Sequence, residues 1–307
     1  MQHCFGIVGH GVVGSVFSRL LCKHGARVLS YDCLLDRPET ASVMKKKIED
    51  DGSKACSLAD VLGASDYILS VVTPQSGREI ADCASRSLHG YQVFVDLTST
   101  SPAVKRIIGA IVTNGGAEFV EGVILGAVSS FTSPVILLGG PAGESAASVF
   151  QRYGLAARFY SPEIGRAAAF KMLRSIFSKG MEAVLVETLV AARRVGLLDE
   201  IWEEIRTTLS TAKVEGTLET WIRSHARSAQ RRCHEMQEVS QFLKEIGIQL
   251  VLPRASGQVF ARSLELGVSE AFPQEPESFR EVIEYLEKQQ GIVPRSAEQR
   301  GDACPYP

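Results

Sequence analysis

Short apolar runs alternate with segments of helical periodicity along the first half of the chain. Runs of strand length lie at 4–8, 26–31, 66–74 and 92–96. Helix-like patterns separate them, at 13–21, 40–51, 58–62 and 75–87, and another follows at 102–111. This alternation is typical of an α/β domain with a doubly wound, mainly parallel sheet.

The second half has helical periodicity almost throughout. One pattern runs from Ser161, a potential N-cap followed by Pro162, to Gly196, and it predicts a single helix roughly 50 Å long. Such a helix is longer than one domain needs, so we expect it to join two units. Further helices are predicted at 198–209, 218–246, 251–266 and 279–288.

These patterns divide the chain into three parts. An α/β domain is predicted at 1–160, an all-α domain joined to it by the long helix at 161–290, and a flexible tail at 291–307, where the sequence is polar and contains prolines.

A glycine-rich turn separates the first strand from the first helix. It has G-x-G-x-x-G spacing and consists of Gly9, His10, Gly11, Val12, Val13 and Gly14. In a Rossmann unit these glycines permit a tight turn, close approach of a pyrophosphate and close packing of the helix, whose N-terminus faces the phosphates. Asp32 ends the next strand, where a carboxylate binds the adenosine ribose and repels the extra phosphate of NADP.

We therefore predict a Rossmann domain that binds NAD through this turn and Asp32. NADP remains possible because Arg37 follows five residues after Asp32. His10 has two interpretations: its side chain contacts a phosphate, or it faces solvent.

Polar loops follow two later strands, at Thr73-Pro74 and at 96–102, which reads DLTSTSP. Ligands of doubly wound sheets bind beyond the carboxyl ends of the strands, so both loops are candidate site segments.

The order of these motifs resembles the β-hydroxyacid dehydrogenases, which include 3-hydroxyisobutyrate and 6-phosphogluconate dehydrogenases. The matching features are the glycine turn, the strand ending in Thr-Pro, the segment beginning at Asp96, and Gly165 followed six residues later by Lys171 on the long helix. The resemblance covers about residues 4–196. Later residues, including His225 and Arg232, resemble a less characterised branch with a phosphogluconate-dehydrogenase-like C-terminal domain.

The resemblance implies roles for individual residues. Lys171 falls on the family's catalytic lysine and Ser175 on the asparagine one turn later. The implied cofactor contacts, besides the glycine turn and Asp32, are Thr73, Pro74, Thr98 and Thr100. The implied substrate contacts are Ser99, Thr100, Leu125, Gly126, Lys171 and Ser175.

Two departures from the family pattern affect the substrate. The strand that contacts the substrate carboxylate reads EGVILGA at 121–127, with Leu125 in place of a serine, and Ser175 replaces the asparagine. We therefore expect a substrate other than the family's common one.

Arg232 is a further candidate for substrate binding. It shares a helical face with His225 and Met236, so its guanidinium could hold a substrate carboxylate bidentately. The alternative is a structural ion pair with Glu235 or Glu238.

The predicted reaction is hydride transfer between NAD and the hydroxyl carbon of a small, carboxylate-bearing hydroxy acid. Lys171, desolvated by neighbouring Ala167, Ala168 and Phe170, would be the general acid and base. Imine reduction is an alternative, as is decarboxylating oxidation, for which Glu121 or His225 would be the second acid. A non-catalytic NAD-binding sensor is also open.

Charge and cysteine content narrow the kinds of partner and site that the chain is expected to have. The net charge is -2, without a long basic block, which argues against nucleic-acid or membrane partners. The seven cysteines are scattered and include no C-x-x-C pair, so we expect reduced thiols, no metal site and a cytoplasmic location.

The long helix has an apolar face that includes Met172, Ile176, Phe177 and Val184. This face suggests a homodimer, as the resemblance implies; burial within one chain is the alternative.

Overall fold

A computed structural model describes residues 2–126, 134–210 and 214–290. The chain forms two compact units, Met1–Phe177 and Ser178–Pro307. The predicted tail at 291–307 lies outside the described residues, as does Ala127 of the predicted substrate strand.

The first unit is built on a sheet that has eight strands within the described ranges. The strands are β1 (Cys4–Val8), β2 (Arg27–Tyr31), β3 (Lys54–Ala55), β4 (Tyr67–Ser70), β5 (Val93–Asp96), β6 (Glu118–Leu125), β7 (Val135–Gly139) and β8 (Ala157–Ser161). Their order is β3-β2-β1-β4-β5-β6-β7-β8. Neighbours are parallel except for the antiparallel pair β6 and β7, so the doubly wound α/β fold is confirmed.

Helices connect these strands. They are α1 (Val12–Lys23), α2 (Pro38–Asp50), α3 (Leu58–Ala64), α4 (Gly77–Ser85), α5 (Pro102–Asn114) and α6 (Gly143–Arg152), with a 3₁₀ turn at Cys33–Asp36. Strand β1 shows why both sheet faces are covered: Phe5 and Ile7 join one apolar cluster, whereas Cys4 and Val8 join the other. Successive side chains point to opposite faces, so a strand that is apolar on both faces must lie between two helical layers.

The long helix α7 spans Arg166–Arg194, and the predicted start at Ser161 is wrong. Ser161 instead ends β8 and is paired with Gly139. Gly165 then has a φ of +101°, which ends the preceding segment and turns the chain into the helix. With 29 residues, α7 is about 44 Å long.

The start of α7 belongs to the first unit. Ala167 and Ala168 are buried against Val123 and Leu137 of the sheet. The two compact units accordingly divide inside α7, between residues 177 and 178, rather than before it. The predicted functional division at residue 160 stays a prediction.

The second unit is helical in its described residues, as predicted. Its helices are the end of α7, α8 (Leu198–Ser210), α9 (Val214–Glu245), α10 (Leu252–Glu265), α11 (Val268–Ala271) and α12 (Phe279–Gln290). A core of Ala226, Ala229, Val268 and Val282 joins α9, α11 and α12. Within the described ranges, no helix has the length and apolar character needed to cross a bilayer.

Candidate cofactor and active site

The glycine turn has the geometry of a dinucleotide-binding loop. Gly9 adopts a φ of +97°, and a Cβ at Gly14 would lie 2.1 Å from the Gly9 carbonyl oxygen, so helix and turn are in direct backbone contact. A Cβ at Gly11 would meet no protein atom within 4 Å. Helix α1 begins after Gly11 with no side-chain cap and no acidic residue in its first turn. Its N-terminal amides therefore suit an anion such as a pyrophosphate.

Asp32 lies next to this turn at the end of β2. One carboxylate oxygen accepts from the His10 amide at 2.7 Å, and the other accepts from the Leu34 amide at 3.0 Å. Lys47 of α2 donates to the His10 carbonyl oxygen at 2.9 Å. Backbone contacts thus orient the carboxylate where the ribose of a bound dinucleotide would lie in this fold, and a cation lies at the same turn.

The His10 side chain is buried, so the solvent-facing interpretation is wrong. Its Nε2 lies 2.9 Å from an Asp51 carboxylate oxygen, and Asp51 also accepts from Ser15 and, at 2.7 Å, from Arg19. Burial lowers the pKa of His10 despite the Asp51 carboxylate. The ring thus ties the glycine turn to the end of α2, and nothing in its contacts supports the predicted phosphate contact.

The other predicted contacts follow the carboxyl ends of β4 and β6. Thr73 and Pro74 are exposed, and the Thr73 hydroxyl lies 3.3 Å from that of Ser76. Leu125 is half-buried beside the apolar cluster under α7, and Gly126 is exposed with a φ of +82°. Leu125 therefore offers apolar surface where the family pattern has a hydroxyl.

The loop after β5 brings a hydroxyl to Lys171. Thr98 and Thr100 are buried, whereas Ser99 between them is exposed. The Lys171 amine donates to the Ser99 hydroxyl oxygen over 2.7 Å. Residues 72 positions apart in sequence thus meet at the carboxyl edge of the sheet.

Lys171 has an environment suited to proton transfer. It is half-buried, and burial lowers the pKa of its amine below the ordinary lysine value. The cation of Lys105 lowers this pKa further. Ser175, also half-buried, follows one helical turn later on the same face.

A fully buried lysine lies behind this contact, and the sequence analysis did not identify it. The Lys105 amine donates to the carboxylate of Asp96 at 2.8 Å, to its carbonyl oxygen at 2.7 Å and to the Gly122 carbonyl oxygen at 3.2 Å. The available signal was position: Lys105 occupies the apolar stripe of α5 with Ile108 and Val112, where a lysine is unusual.

Glu121 is also buried, next to the start of α7. One carboxylate oxygen accepts from the Gly165 amide at 2.8 Å and the Ala167 amide at 3.0 Å. Glu121 thus stabilises the helix that carries Lys171.

In the second unit, Arg232 makes neither predicted ion pair. It donates to the Trp221 carbonyl oxygen at 3.0 Å and to the Ser224 hydroxyl at 2.8 Å. The ion-pair interpretation with Glu235 or Glu238 is therefore wrong. The geometric reason is that Glu235 pairs with neighbouring Arg231, and Glu238 lies 3.8 Å from His234.

Arg232 instead lines a mainly apolar cavity of about 650 Å³ within the helical unit. His225 lines the same cavity, and its ring packs on Phe260 with centroids 5.6 Å apart. Burial lowers the pKa of His225, and neighbouring Arg232 lowers it further. A substrate role for Arg232 stays a prediction.

Two family models match the chain. The model described as the NAD binding domain of 6-phosphogluconate dehydrogenase matches residues 4–160, about half of the chain. A Domain of unknown function (DUF1932) matches residues 192–263. The first unit is accordingly an NAD-binding domain.

Relatives of the chain are distant. An uncharacterized 28.5 kDa protein from Methanothermus fervidus is 25% identical over 256 residues, 83% of this chain and 96% of the relative. The chloroplastic glyoxylate/succinic semialdehyde reductase 2 of Arabidopsis thaliana is 22% identical over 207 residues, 65% of this chain and 56% of the relative.

Solved structures share the fold. A conserved protein of unknown function, described as similar in structure to 3-hydroxyacid dehydrogenases, is 29% identical with a TM-score of 0.57, covering 84% of this chain and 96% of its own. Imine reductase from Myxococcus stipitatus in complex with NADP+ is 19% identical with a TM-score of 0.73, covering 87% of this chain and 96% of its own.

Proposed function

Because the chain belongs to the β-hydroxyacid dehydrogenase family of NAD-binding oxidoreductases, we propose that it interconverts a small hydroxy acid and the corresponding carbonyl acid, with Lys171 as general acid and base. The observation that supports this most directly is the 2.7 Å contact between the Lys171 amine and the Ser99 hydroxyl at the carboxyl edge of the sheet. Ligands of doubly wound sheets bind at this edge.

Cofactor binding is assigned to the first unit. The amides at the start of α1 would hold the pyrophosphate, because the position at Gly11 is open, and Asp32 would hold the adenosine ribose. When bound, the nicotinamide supplies the hydride chemistry.

Lys171 is the general base and general acid for the proton of the substrate hydroxyl. Burial and the Lys105 cation lower the pKa of its amine, so the neutral amine becomes accessible at a lower pH than for an exposed lysine. In the oxidative direction the neutral amine accepts the substrate hydroxyl proton; in the reductive direction the ammonium returns it. Ser99 orients the amine by accepting its hydrogen bond, and Ser175, one turn later, supports the substrate hydroxyl.

A small substrate that carries a carboxylate fits this proposal. The similar Arabidopsis protein is named for reduction of glyoxylate and succinic semialdehyde, both small carbonyl acids. The apolar Leu125 at the substrate strand favours a substrate with an apolar or short body near that position.

Glu121 is poorly placed to be the second acid that a decarboxylating oxidation needs. Its side chain is fully buried and already accepts from two amides of the α7 start, so it does not meet a substrate as an acid. His225 stays the other candidate for that role. Imine reduction is the principal rival, because Myxococcus stipitatus imine reductase shares the fold.

The proposal includes a homodimer formed through α7. Leu173, Ile176 and Phe177 are 67%, 73% and 62% exposed, although all three are large and apolar. Contiguous apolar surface of this kind marks protein–protein contacts.

The test compares Lys171→Met with Lys179→Met, which changes an exposed lysine on the same helix. Both variants and the wild type are assayed for NADH and NADPH formation across 2- and 3-hydroxy acids, sugar acids and amines. We expect hydroxy-acid oxidation in the wild type and Lys179→Met, and at least a roughly 100-fold loss of kcat in Lys171→Met with little change in NADH affinity.

The pH dependence gives a second readout. Because oxidation needs the neutral amine, kcat should rise with pH until the Lys171 amine is deprotonated, and this limb should be absent from the residual activity of Lys171→Met. Full hydroxy-acid turnover in Lys171→Met would refute the lysine assignment. Turnover of amines alone would favour imine reduction, and tight NADH binding without turnover would favour the sensor interpretation.

A further inference from the structure

Lys105 connects the two sides of the contact between Lys171 and Ser99. Its amine is fully buried in α5, whose exposed face points to solvent. Its acceptors lie on two adjacent strands: Asp96 ends β5, and Gly122 lies within β6. A lysine is almost never fully buried unless it is paired.

The hydrogen bonds identify the ionic form of Lys105. An ammonium has three donors and no acceptor. The three acceptors around Lys105 are two oxygens of Asp96 and the carbonyl oxygen of Gly122, at 2.8, 2.7 and 3.2 Å. Burial lowers the pKa of Lys105, and the adjacent Asp96 carboxylate opposes part of that effect. The three acceptors match the three donors of an ammonium.

One set of contacts leads from Lys105 to Ser99. The second carboxylate oxygen of Asp96 accepts from the Thr98 amide at 3.1 Å and from the Thr98 hydroxyl at 2.7 Å. Thr98 is the residue before Ser99. Lys105 therefore fixes the carboxylate around which the Ser99 loop folds.

A second set of contacts leads from Lys105 to α7. Gly122 follows Glu121 on β6, and Glu121 accepts from the amides of Gly165 and Ala167. Ala167 lies one helical turn before Lys171. The strand that Lys105 holds thus also carries the group that anchors the lysine-bearing helix.

We propose that Lys105 is a positioning residue: its buried amine holds the ends of β5 and β6 so that the Ser99 hydroxyl meets the Lys171 amine, and its charge is held in a fixed position by Asp96. The importance of this role for catalysis rests on the proposed function of Lys171.

The groups around Lys171 determine how its pKa should change when the charge of Lys105 is removed. Ser99 faces its amine from the loop after β5, and the Lys105 cation acts on it from α5. The carboxylates of Asp96 and Glu121 act on Lys105. Removing the Lys105 charge should therefore raise the pKa of the Lys171 amine, because a repulsive cation is lost.

The experiment measures Lys171 without any substrate. The full chain, as wild type and as Lys105→Met, is treated with trace acetic anhydride between pH 6 and 11, and acylation of each lysine is quantified by peptide mass spectrometry. Since the neutral amine reacts, the rate against pH gives the titration midpoint of Lys171. Exposed Lys179, on the same helix, is the internal control. A wild-type circular dichroism spectrum and a cooperative urea unfolding transition verify that the sheet is intact.

In Lys105→Met we expect the Lys171 midpoint to move to higher pH by roughly half a pH unit or more, while that of Lys179 stays in place. If Lys105→Met does not fold, Lys105→Gln removes the charge but retains a donor for Asp96, and the same shift is expected. A midpoint for Lys171 identical to wild type in a folded variant overturns the proposal. The acylation experiment needs no turnover, so its outcome is independent of whether any hydroxy acid proves to be a substrate.

Discussion

Replacing Gly11 by alanine should separate cofactor binding from stability. A Cβ at this position meets no protein atom within 4 Å, and the φ of -72° suits alanine. Alanine reduces the freedom of the unfolded chain, which stabilises by about 0.4–1 kcal/mol. As an N-cap it is worse than glycine by roughly 0.5–1 kcal/mol. The two effects nearly cancel, so we expect the free energy of unfolding to change by less than about 0.5 kcal/mol.

The added methyl group should nevertheless weaken NADH binding. It would occupy the position at which a pyrophosphate approaches the start of α1. Forcing a methyl group into a close contact costs about 1–3 kcal/mol. The dissociation constant for NADH should therefore rise roughly 5- to 150-fold.

Gly14→Ala is the matched comparison, because its methyl group meets the protein itself. The Cβ would lie 2.1 Å from the Gly9 carbonyl oxygen, so helix α1 and the turn must separate by about 1 Å. The oxygen is a backbone atom and the position of the Cβ is fixed by the backbone, so neither can rotate away. This variant should lose stability, by about 1–3 kcal/mol or more, together with NADH affinity.

The assays are urea unfolding of the cofactor-free protein and NADH titration by fluorescence. The expected pattern is normal stability with weak binding for Gly11→Ala, and loss of both for Gly14→Ala. Wild-type NADH affinity in a stable Gly11→Ala would refute the reasoning, because the pyrophosphate could not then lie against this turn.

Three further perturbations test other parts of the molecule. Burial lowers the pKa of folded His10, whereas the unfolded chain takes up this proton near pH 6.5, so the unfolding free energy should fall as pH drops below 6.5. His10→Gln should remove that part of the slope in urea titrations from pH 5 to 8, and an unchanged slope would contradict this. Lys47→Met should weaken NADH binding about 2- to 5-fold in fluorescence titrations, because Lys47 places a cation at the glycine turn; a wild-type constant, or equal weakening in exposed Lys46→Met, would contradict that role. Ile176→Glu should dissociate the proposed homodimer in sedimentation experiments, and a dimer as stable as wild type would place the interface elsewhere.

The Rossmann half of the fold could be predicted because its signals are local. The glycine spacing, the strand before it and Asp32 after it lie within about 30 residues, and each has a steric or electrostatic cause that needs no distant partner. The antiparallel β7, the helix α6 and β8 were not predicted. Their signals are present, in the apolar run at 135–138 before Gly139 and in the periodicity of 146–150, but no family motif lies between the strand at 121–127 and Gly165.

The start of α7 shows how tertiary structure overrides a local signal. Ser161 and Pro162 have the residue types of a helix N-terminus. Ser161 is nevertheless taken by the edge strand β8, and the helix begins after Gly165. Pairing with β7 satisfies backbone groups that a local cap would have satisfied otherwise, and single-sequence patterns do not distinguish the two outcomes.

The buried charges could not be predicted with their partners. Asp96, Lys105 and Glu121 come from three elements, and their contacts depend on β5 and β6 being neighbours in the sheet. The position of Lys105 in an apolar stripe was visible in the sequence, but a lysine in such a stripe usually extends its amine to solvent. Here β5 and β6 are neighbours in the sheet, and their acceptors keep the Lys105 amine buried.

The placement of these charges bears on how one lysine could serve both directions of the proposed reaction. An exposed lysine remains protonated through neutral pH and is a poor base. Burial and the Lys105 cation lower the pKa of Lys171, while the Ser99 hydroxyl accepts a hydrogen bond from its amine. Because Lys105 is itself held by Asp96, the repulsive charge is fixed in place and does not escape into solvent when Lys171 takes up a proton. A site built this way would bring the two protonation states of Lys171 closer in free energy, which is what reversible proton transfer to a substrate hydroxyl requires.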